Sequence, residues 1–322
     1  MKRRGDLLLL VAPPALLAAA AAGILLGPER LSPSELFGDS GRNILETRIP
    51  RVLLAAAVGA ALSVAGVLFQ AILRNPLADP YILGASSGAG LGAAPAIMFA
   101  LGTWAVAGAA FAGTMVATLL VYHLAMVGGR LPRMTLLLCG VVVGYLLGAF
   151  LLFLVSQQAG GRLHDVMWWL MGSLQAGEPR LVTAVWTCMV LGTAGAWMLS
   201  RDLDLLAMGE EQAEHLGLSP ERAKTVFFAL GSLLTGAAVA ASGLIGFVGL
   251  VVPHLVRLLI GPGHRRLVPC AALTGAAFLV IVELVSRTAL PGREIPVGVV
   301  TAFTGGPFFL WLLRRQRKVF WG

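Results

Sequence analysis

The sequence predicts an all-α, polytopic membrane protein with about ten transmembrane helices, and three observations carry that expectation. Of the 322 residues, 57% are apolar and 12% are charged, about half the charged share of a soluble globular domain. The apolar residues are gathered into long runs, and a helix needs about 20 of them to cross a hydrocarbon core of about 30 Å. The basic residues concentrate in every second connection, in keeping with the bias of Lys and Arg toward cytoplasmic loops.

In chain order the runs lie at 7–26, 52–73, 82–101, 104–127, 134–157, 181–200, 225–242, 246–260, 267–290 and 296–313. The first follows Lys2, Arg3 and Arg4 and has the basic and apolar regions of a secretory signal. Since every later run also reads as membrane-embedded, it is taken as a span that stays attached. Small residues recur every fourth position in the second span (Ala55, Gly59, Ser63), the third (Gly84, Gly88, Gly92) and the fifth (Gly140, Gly144, Gly148). Hydrophobicity gives helices little drive to associate in lipid, so such stripes, which permit close backbone approach, predict a tight bundle. The runs at 82–101 and 246–260 are short or glycine-interrupted and suit half-spans. Asn75, Pro76, Asp79 and Pro80, and later Pro253, His254 and Arg257, read as turn construction at the cytoplasmic edge.

With the N-terminus inside, sixteen of the 24 basic residues fall on the cytoplasmic side, and both termini do so with an even number of spans. The net charge of +8 does not point to nucleic acid, because the basic residues form no soluble binding face. Cys139, Cys188 and Cys270 each lie in an apolar run without a second ligand at metal spacing, so they read as packing residues, with no disulfide and no metal site. The glycines at 84–92 resemble a nucleotide loop but follow no soluble strand, and none of the three lysines completes a Gly-x-x-x-x-Gly-Lys-Ser/Thr phosphate loop. No catalytic residue and no resident cofactor are expected. If ATP powers this protein, another subunit binds it.

The longest polar segment that the charge bias places on the cytoplasmic side is Arg201 to Lys224, which holds six of the sixteen acidic residues. Apolar spacing at Leu205, Leu206, Ala213 and Leu216, broken by Gly209, Gly217 and Pro220, predicts two short helices joined by a turn. Helices of that size need a surface to dock on, the other reading being a solvated loop. Glu283 lies within the ninth run, where an acidic residue costs roughly 2.5 kcal/mol or more at mid-span. Arg287, one turn on, offers an i,i+4 partner, so an intramembrane ion pair is favoured over a proton relay. Arg48 and Arg51 stand at the outer end against the charge bias, either snorkelling to headgroups or meeting a partner.

Four stretches together resemble the FecCD-type permease family, the membrane subunits of importers for iron siderophores, haem and cobalamin. They are RIPRVLLAAAVGAALSVAGVLFQAILRNPLADPYILGASSGAG at 48–90, MGEEQAEHLGLS at 208–219, GLIGFVGLVVPHLVRLLIGPGHRRLVP at 243–269 and REIPVGVVTAFTGGPFFLWLLRR at 293–315. The resemblance implies a type II ABC importer permease fold in a single transmembrane domain over residues 1–322, of ten spans, in the bacterial inner membrane. It implies that 201–224 is the coupling-helix loop, with Gly209, Glu210, Ala213, Leu216 and Gly217 docking on an ATPase subunit that binds ATP and Mg. It further implies that Arg48, Arg51 and Arg287 meet acidic residues of a periplasmic substrate-binding protein, and that Met134 and Thr135 line a cytoplasmic gate. Two ATPases and a second permease copy, read here as a homodimer, would complete the assembly. The rival class, an ion-gradient-driven secondary transporter, would need ionisable groups near the midplane, where this chain offers only Glu283.

Overall fold

The computed structural model describes residues 2–27, 38–157, 162–175 and 178–320. The described residues form thirteen α-helices and one 3₁₀ turn. These are α1 (Lys2–Leu25), α2 (Asp39–Ile72), the 3₁₀ turn Pro80–Leu83, α3 (Ala85–Met98), α4 (Thr103–Ala125), α5 (Arg133–Ser156) and α6 (Leu163–Leu170). They continue with α7 (Pro179–Met198), α8 (Ser200–Met208), α9 (Glu210–His215), α10 (Pro220–Ser242), α11 (Val248–Ile260), α12 (His264–Thr288) and α13 (Val297–Phe320).

Each of the ten apolar runs falls on a helix. Among the described residues six helices are long and apolar enough to cross a membrane: α2, α4, α5, α7, α10 and α12. The run at 82–101 resolves into the 3₁₀ turn and the 14-residue α3, and the run at 246–260 into the 13-residue α11. At 1.5 Å per residue each covers only about 20 Å, so these are the interrupted elements that the glycines foretold. The 3₁₀ turn starts where Asp79 accepts a hydrogen bond from the Tyr81 backbone N–H at 2.8 Å and Pro80 fixes the first residue.

The core sits around α2, whose apolar window is 94% buried and which packs against α7, α10, α11 and α12. Small residues make this possible. Gly59 lies on the Gly275 carbonyl of α12, and Gly66 on the Gly249 carbonyl of α11. The second stripe works likewise, with Gly88 and Gly92 of α3 against Gly113 and Ala109 of α4, and the third places Gly140 of α5 over Ile82 and Leu83. By contrast, only 22% of the apolar window of α5 is buried. Leu138, Val142, Tyr145, Leu146, Phe150 and Phe153 leave an apolar face of α5 uncovered within this chain.

The antiparallel helices give the bundle two ends. One, the basic end, gathers residues 126–133, 199–219 and 261–266, tied together by Arg133–Glu210, Asp204–His264 and the hydrogen bond from the Trp197 indole to the Arg265 carbonyl. The opposite end gathers the end of α1, the early turns of α2 and the α12–α13 connection.

Candidate functional site

Two polar clusters hold almost all the residues singled out from the sequence, one at each end of the bundle. At the opposite end Glu283, fully buried, lies between two arginines. Its Oε2 accepts from Arg287 Nε at 3.1 Å, and its Oε1 lies 3.0 Å from Arg51 Nε. Arg51 also grips Glu294 in a two-pronged pair of 2.8 and 3.1 Å, and Gln175 Nε2 donates to the same carboxylate at 3.3 Å. Glu294 stands in the connection between α12 and α13. The hydrogen bonds from Arg51 hold its carboxyl below the ordinary glutamate value, outweighing the opposite push of partial burial.

The same end fixes α1. Arg48 Nη1 donates to the carbonyls of Ile24 and Leu25 at 3.1 and 3.2 Å, and Arg287 Nη2 donates to that of Gly23. The last carbonyls of a helix have no partner within it and carry the negative end of its dipole, so two guanidinium groups there satisfy both needs. Arg48 and Arg287 are buried and Arg51 is mostly covered. The sequence left Arg48 and Arg51 at the outer end, snorkelling or meeting a partner, paired Arg287 with Glu283, and by resemblance implied docking for all three; the structure forms the Glu283–Arg287 pair and brings the three arginines together, engaged within the chain. The reason is the start of α2 at Asp39, well before the apolar run at residue 52. Arg48 and Arg51 therefore sit inside the helix, three residues apart on one face, and that face meets α1 and α12.

The second cluster is at the basic end. Residues 200–215 form the two short helices expected, α8 and α9, with Gly209 between them at φ 133°, a conformation that L side chains rarely adopt. Gly217 closes the segment at φ 84° before Pro220 opens α10. Ala213 is buried beneath α9, while Met208 and Leu216 are 57% and 58% exposed, which leaves two large apolar side chains on the outward surface of this pair.

Glu210 does not point away with them. Its two carboxylate oxygens meet Arg133 Nη2 at 2.8 Å and Lys224 Nζ at 3.3 Å. Lys224 is 1% exposed, and it also pairs with Glu221 at 2.6 Å and donates to the Leu131 carbonyl at 2.9 Å. Glu221 in turn accepts from the Leu131 N–H at 2.7 Å. On the neighbouring side, Asp204 of α8 accepts from the His264 N–H at 2.9 Å and lies 2.7 Å from His264 Nδ1. Burial pushes the Asp204 carboxyl up, but these contacts with His264 outweigh it and leave the group below its ordinary value.

Met134 is exposed and Thr135 half-buried, both in the first turn of α5 next to this cluster. Arg133, Lys224, Glu221, Glu294 and Gln175 escaped the sequence reading as site residues. Only Lys224 carried a signal, a lysine at the head of an apolar run with Glu221 three residues earlier. Among the described residues no three His, Cys, Asp or Glu side chains converge at metal-binding distances, and the three cysteines carry free thiols.

This geometry has counterparts. The profile of the FecCD transport family matches residues 15–315. The cobalamin import system permease protein BtuC of Halobacterium salinarum is 46% identical over 268 residues, 83% of this chain and 72% of that one. The hemin transport system permease protein HmuU of Yersinia pestis is 42% identical over 283 residues, 85% of this chain and 84% of that one. Among solved structures, a metal-chelate-type ABC transporter in an inward-facing conformation superimposes with a TM-score of 0.86 at 30% identity, over 96% of this chain and 99% of that one.

Proposed function

The chain belongs to the FecCD transport family and is the membrane-spanning permease subunit of an ATP-binding-cassette importer; from that premise we propose that it carries an iron chelate, haem or cobalamin inward across a bacterial inner membrane by alternating access. The observation that carries this reading is similarity over more than four fifths of this chain to permeases named for cobalamin and for hemin, together with a polar helix pair at the basic end of the bundle. In this reading residues 1–322 are one transmembrane domain with both termini in the cytosol, the side to which the positive-inside bias assigns the basic end.

Nucleotide chemistry belongs to a separate ATPase, in two copies, that binds ATP and Mg. The surface offered to it is α8–α9, with Leu216 as an exposed apolar knob, Gly209 and Gly217 setting the turns, Ala213 fixing α9 from below and Glu210 anchoring its start. A second copy of this chain covers the open apolar face of α5, and Met134 and Thr135 then stand at the inner mouth of the path between the copies. A substrate-binding protein docks at the opposite end. There Arg51 is the arginine best placed to exchange partners, since Glu294 is partly exposed and a docking carboxylate can compete with it, whereas Arg48 and Arg287 support the platform from within. The ion-gradient alternative gains nothing from Glu283, which is held between two cations.

The test is ATP hydrolysis by the permease with its ATPase in lipid nanodiscs, adding a substrate-binding protein loaded with haem, a ferric siderophore or cobalamin. Stimulation by one loaded form, lost in the double variant Arg51→Glu, Glu294→Lys, identifies both the cargo class and the docking end. A chain that moves solute under an ion gradient with no ATPase bound would overturn the reading.

A further inference from the structure

The two short helices that face outward at the basic end are anchored to different parts of the bundle. Helix α8 packs on α2 and α12 and is latched to α12 through Asp204 and His264. These two long helices, together with α10, which packs on α2, form the buried scaffold. Helix α9, six residues long, cannot hold itself as an isolated helix, and beyond Ala213 its charged hold is Glu210, which reaches Arg133 at the start of α5 and Lys224 at the start of α10.

The connection to α5 is unusually complete. The Lys224 ammonium has three donors and finds three oxygens on three segments: Glu210 of α9, Glu221 of its own helix and the carbonyl of Leu131. With Glu221 accepting from the Leu131 N–H, both backbone groups of Leu131 are held by the first turn of α10. Leu131 stands two residues before Arg133, the first residue of α5. The start of α5 is thus fixed by a side-chain pair and two backbone contacts, while the body of α5 is the least buried of the six long spans. A helix gripped at one end and loosely packed along its length follows the element that grips it.

Gly209 lies between the two anchored helices, in a backbone conformation that demands glycine. A displacement of α9 relative to α8 about this residue would draw Arg133 and the start of α5 with α9, pivoting at Leu131, which α10 holds to the scaffold, while α12 and α2 stay with α8. We propose that Arg133 and Lys224, acting through Glu210, are positioning residues that convert movement of α9 into movement of the start of α5, and so of Met134 and Thr135, against the α2–α12 scaffold. The inference rests on the reading of α8–α9 as the surface that meets the ATPase. The low-dielectric setting of Lys224 makes such a clamp stiff, because separating buried opposite charges is costly.

The experiment uses the whole importer in proteoliposomes, comparing Arg133→Gln, Lys224→Met and the conservative Arg133→Lys, with transport and ATP hydrolysis measured on the same preparation. For Arg133→Gln we expect the ATPase to co-purify and basal hydrolysis to persist, while cargo moved per ATP falls about tenfold; Arg133→Lys restores most of the ratio. Spin labels on exposed positions of α5 and α12, at Leu138→Cys and Ile281→Cys, should show a nucleotide-driven distance change that Arg133→Gln abolishes. If Lys224→Met fails to fold, Arg133→Gln alone decides. An unchanged ratio of cargo to ATP in Arg133→Gln overturns the proposal, and so does loss of the ATPase from that variant, which would make Arg133 a docking residue. A Leu216→Cys cross-link to the ATPase in the otherwise unaltered complex separates the two levels. If that cross-link is absent, the docking reading falls and takes the clamp with it; if it forms and Arg133→Gln still couples normally, the clamp alone falls.

Discussion

Gly66 of α2 and Gly249 of α11 meet so closely that a Cβ added to Gly66 would run into the Gly249 carbonyl. The contact is backbone on backbone, so no side chain can rotate away to make room. Gly66→Ala should therefore cost about 2–3 kcal/mol, toward the upper part of the range for overpacked interiors. The thermal midpoint in detergent, followed by size-exclusion recovery, should fall. Gly108→Ala on α4, where nothing lies within 4 Å of the added carbon, should leave it unchanged or slightly raised.

Replacing Glu283 by Gln leaves Arg51 and Arg287 facing each other with no charge between them in a buried site. Breaking a buried pair from one side costs about 3–5 kcal/mol. We expect a large drop in thermal midpoint for Glu283→Gln, and a smaller one for Arg51→Gln, which leaves Glu283 its second partner. Equal effects would mean that Arg287 alone does not sustain the buried Glu283 carboxylate.

The Arg51–Glu294 pair predicts a pH dependence of definite sign. A carboxyl held below its unfolded value stabilises the fold at pH above that value, ordinarily about 4.3 for glutamate. The contribution fades as pH falls through the lower folded value. The stability advantage of the wild type over Glu294→Gln should thus be constant from pH 7 to about 5 and vanish in more acidic solution. An advantage that grew on acidification would contradict the assigned direction.

Leu216 is exposed and its side chain is apolar, so Leu216→Glu should fold with a stability within about 0.5 kcal/mol of wild type. If α9 meets the ATPase, the same variant should lose the ATPase on co-purification. Retention of the ATPase at wild-type yield would remove Leu216 from the docking surface.

The runs of the chain were legible because lipid imposes a length on apolar segments, and the helix pair at 200–215 because glycine and proline interrupt a short amphipathic pattern. Glu283 and Arg287 could be paired from spacing alone, being one turn apart. The contacts that organise both clusters could not. Arg51 and Glu294 are 243 residues apart, and Arg133 and Glu210 are 77 apart, so neither pair leaves a local signature. The inward turn of Arg48 and Arg51 was hidden for another reason: hydropathy marks where a helix becomes apolar, not where it begins, and α2 starts thirteen residues before the run at 52.

The pairing of Glu283 with Arg287 inside one helix bears on how the protein is made. Residues that cancel each other within a single turn travel together, so α12 can pass from the translocation machinery into lipid as a locally neutral segment. Arg51, synthesised much earlier on α2, need not be in place at that moment. Lys224 has the same provision in Glu221, three residues before it on α10. Glu283 and Lys224 thus each carry an opposite charge on their own helix, whereas Arg51 meets its carboxylates only across the fold.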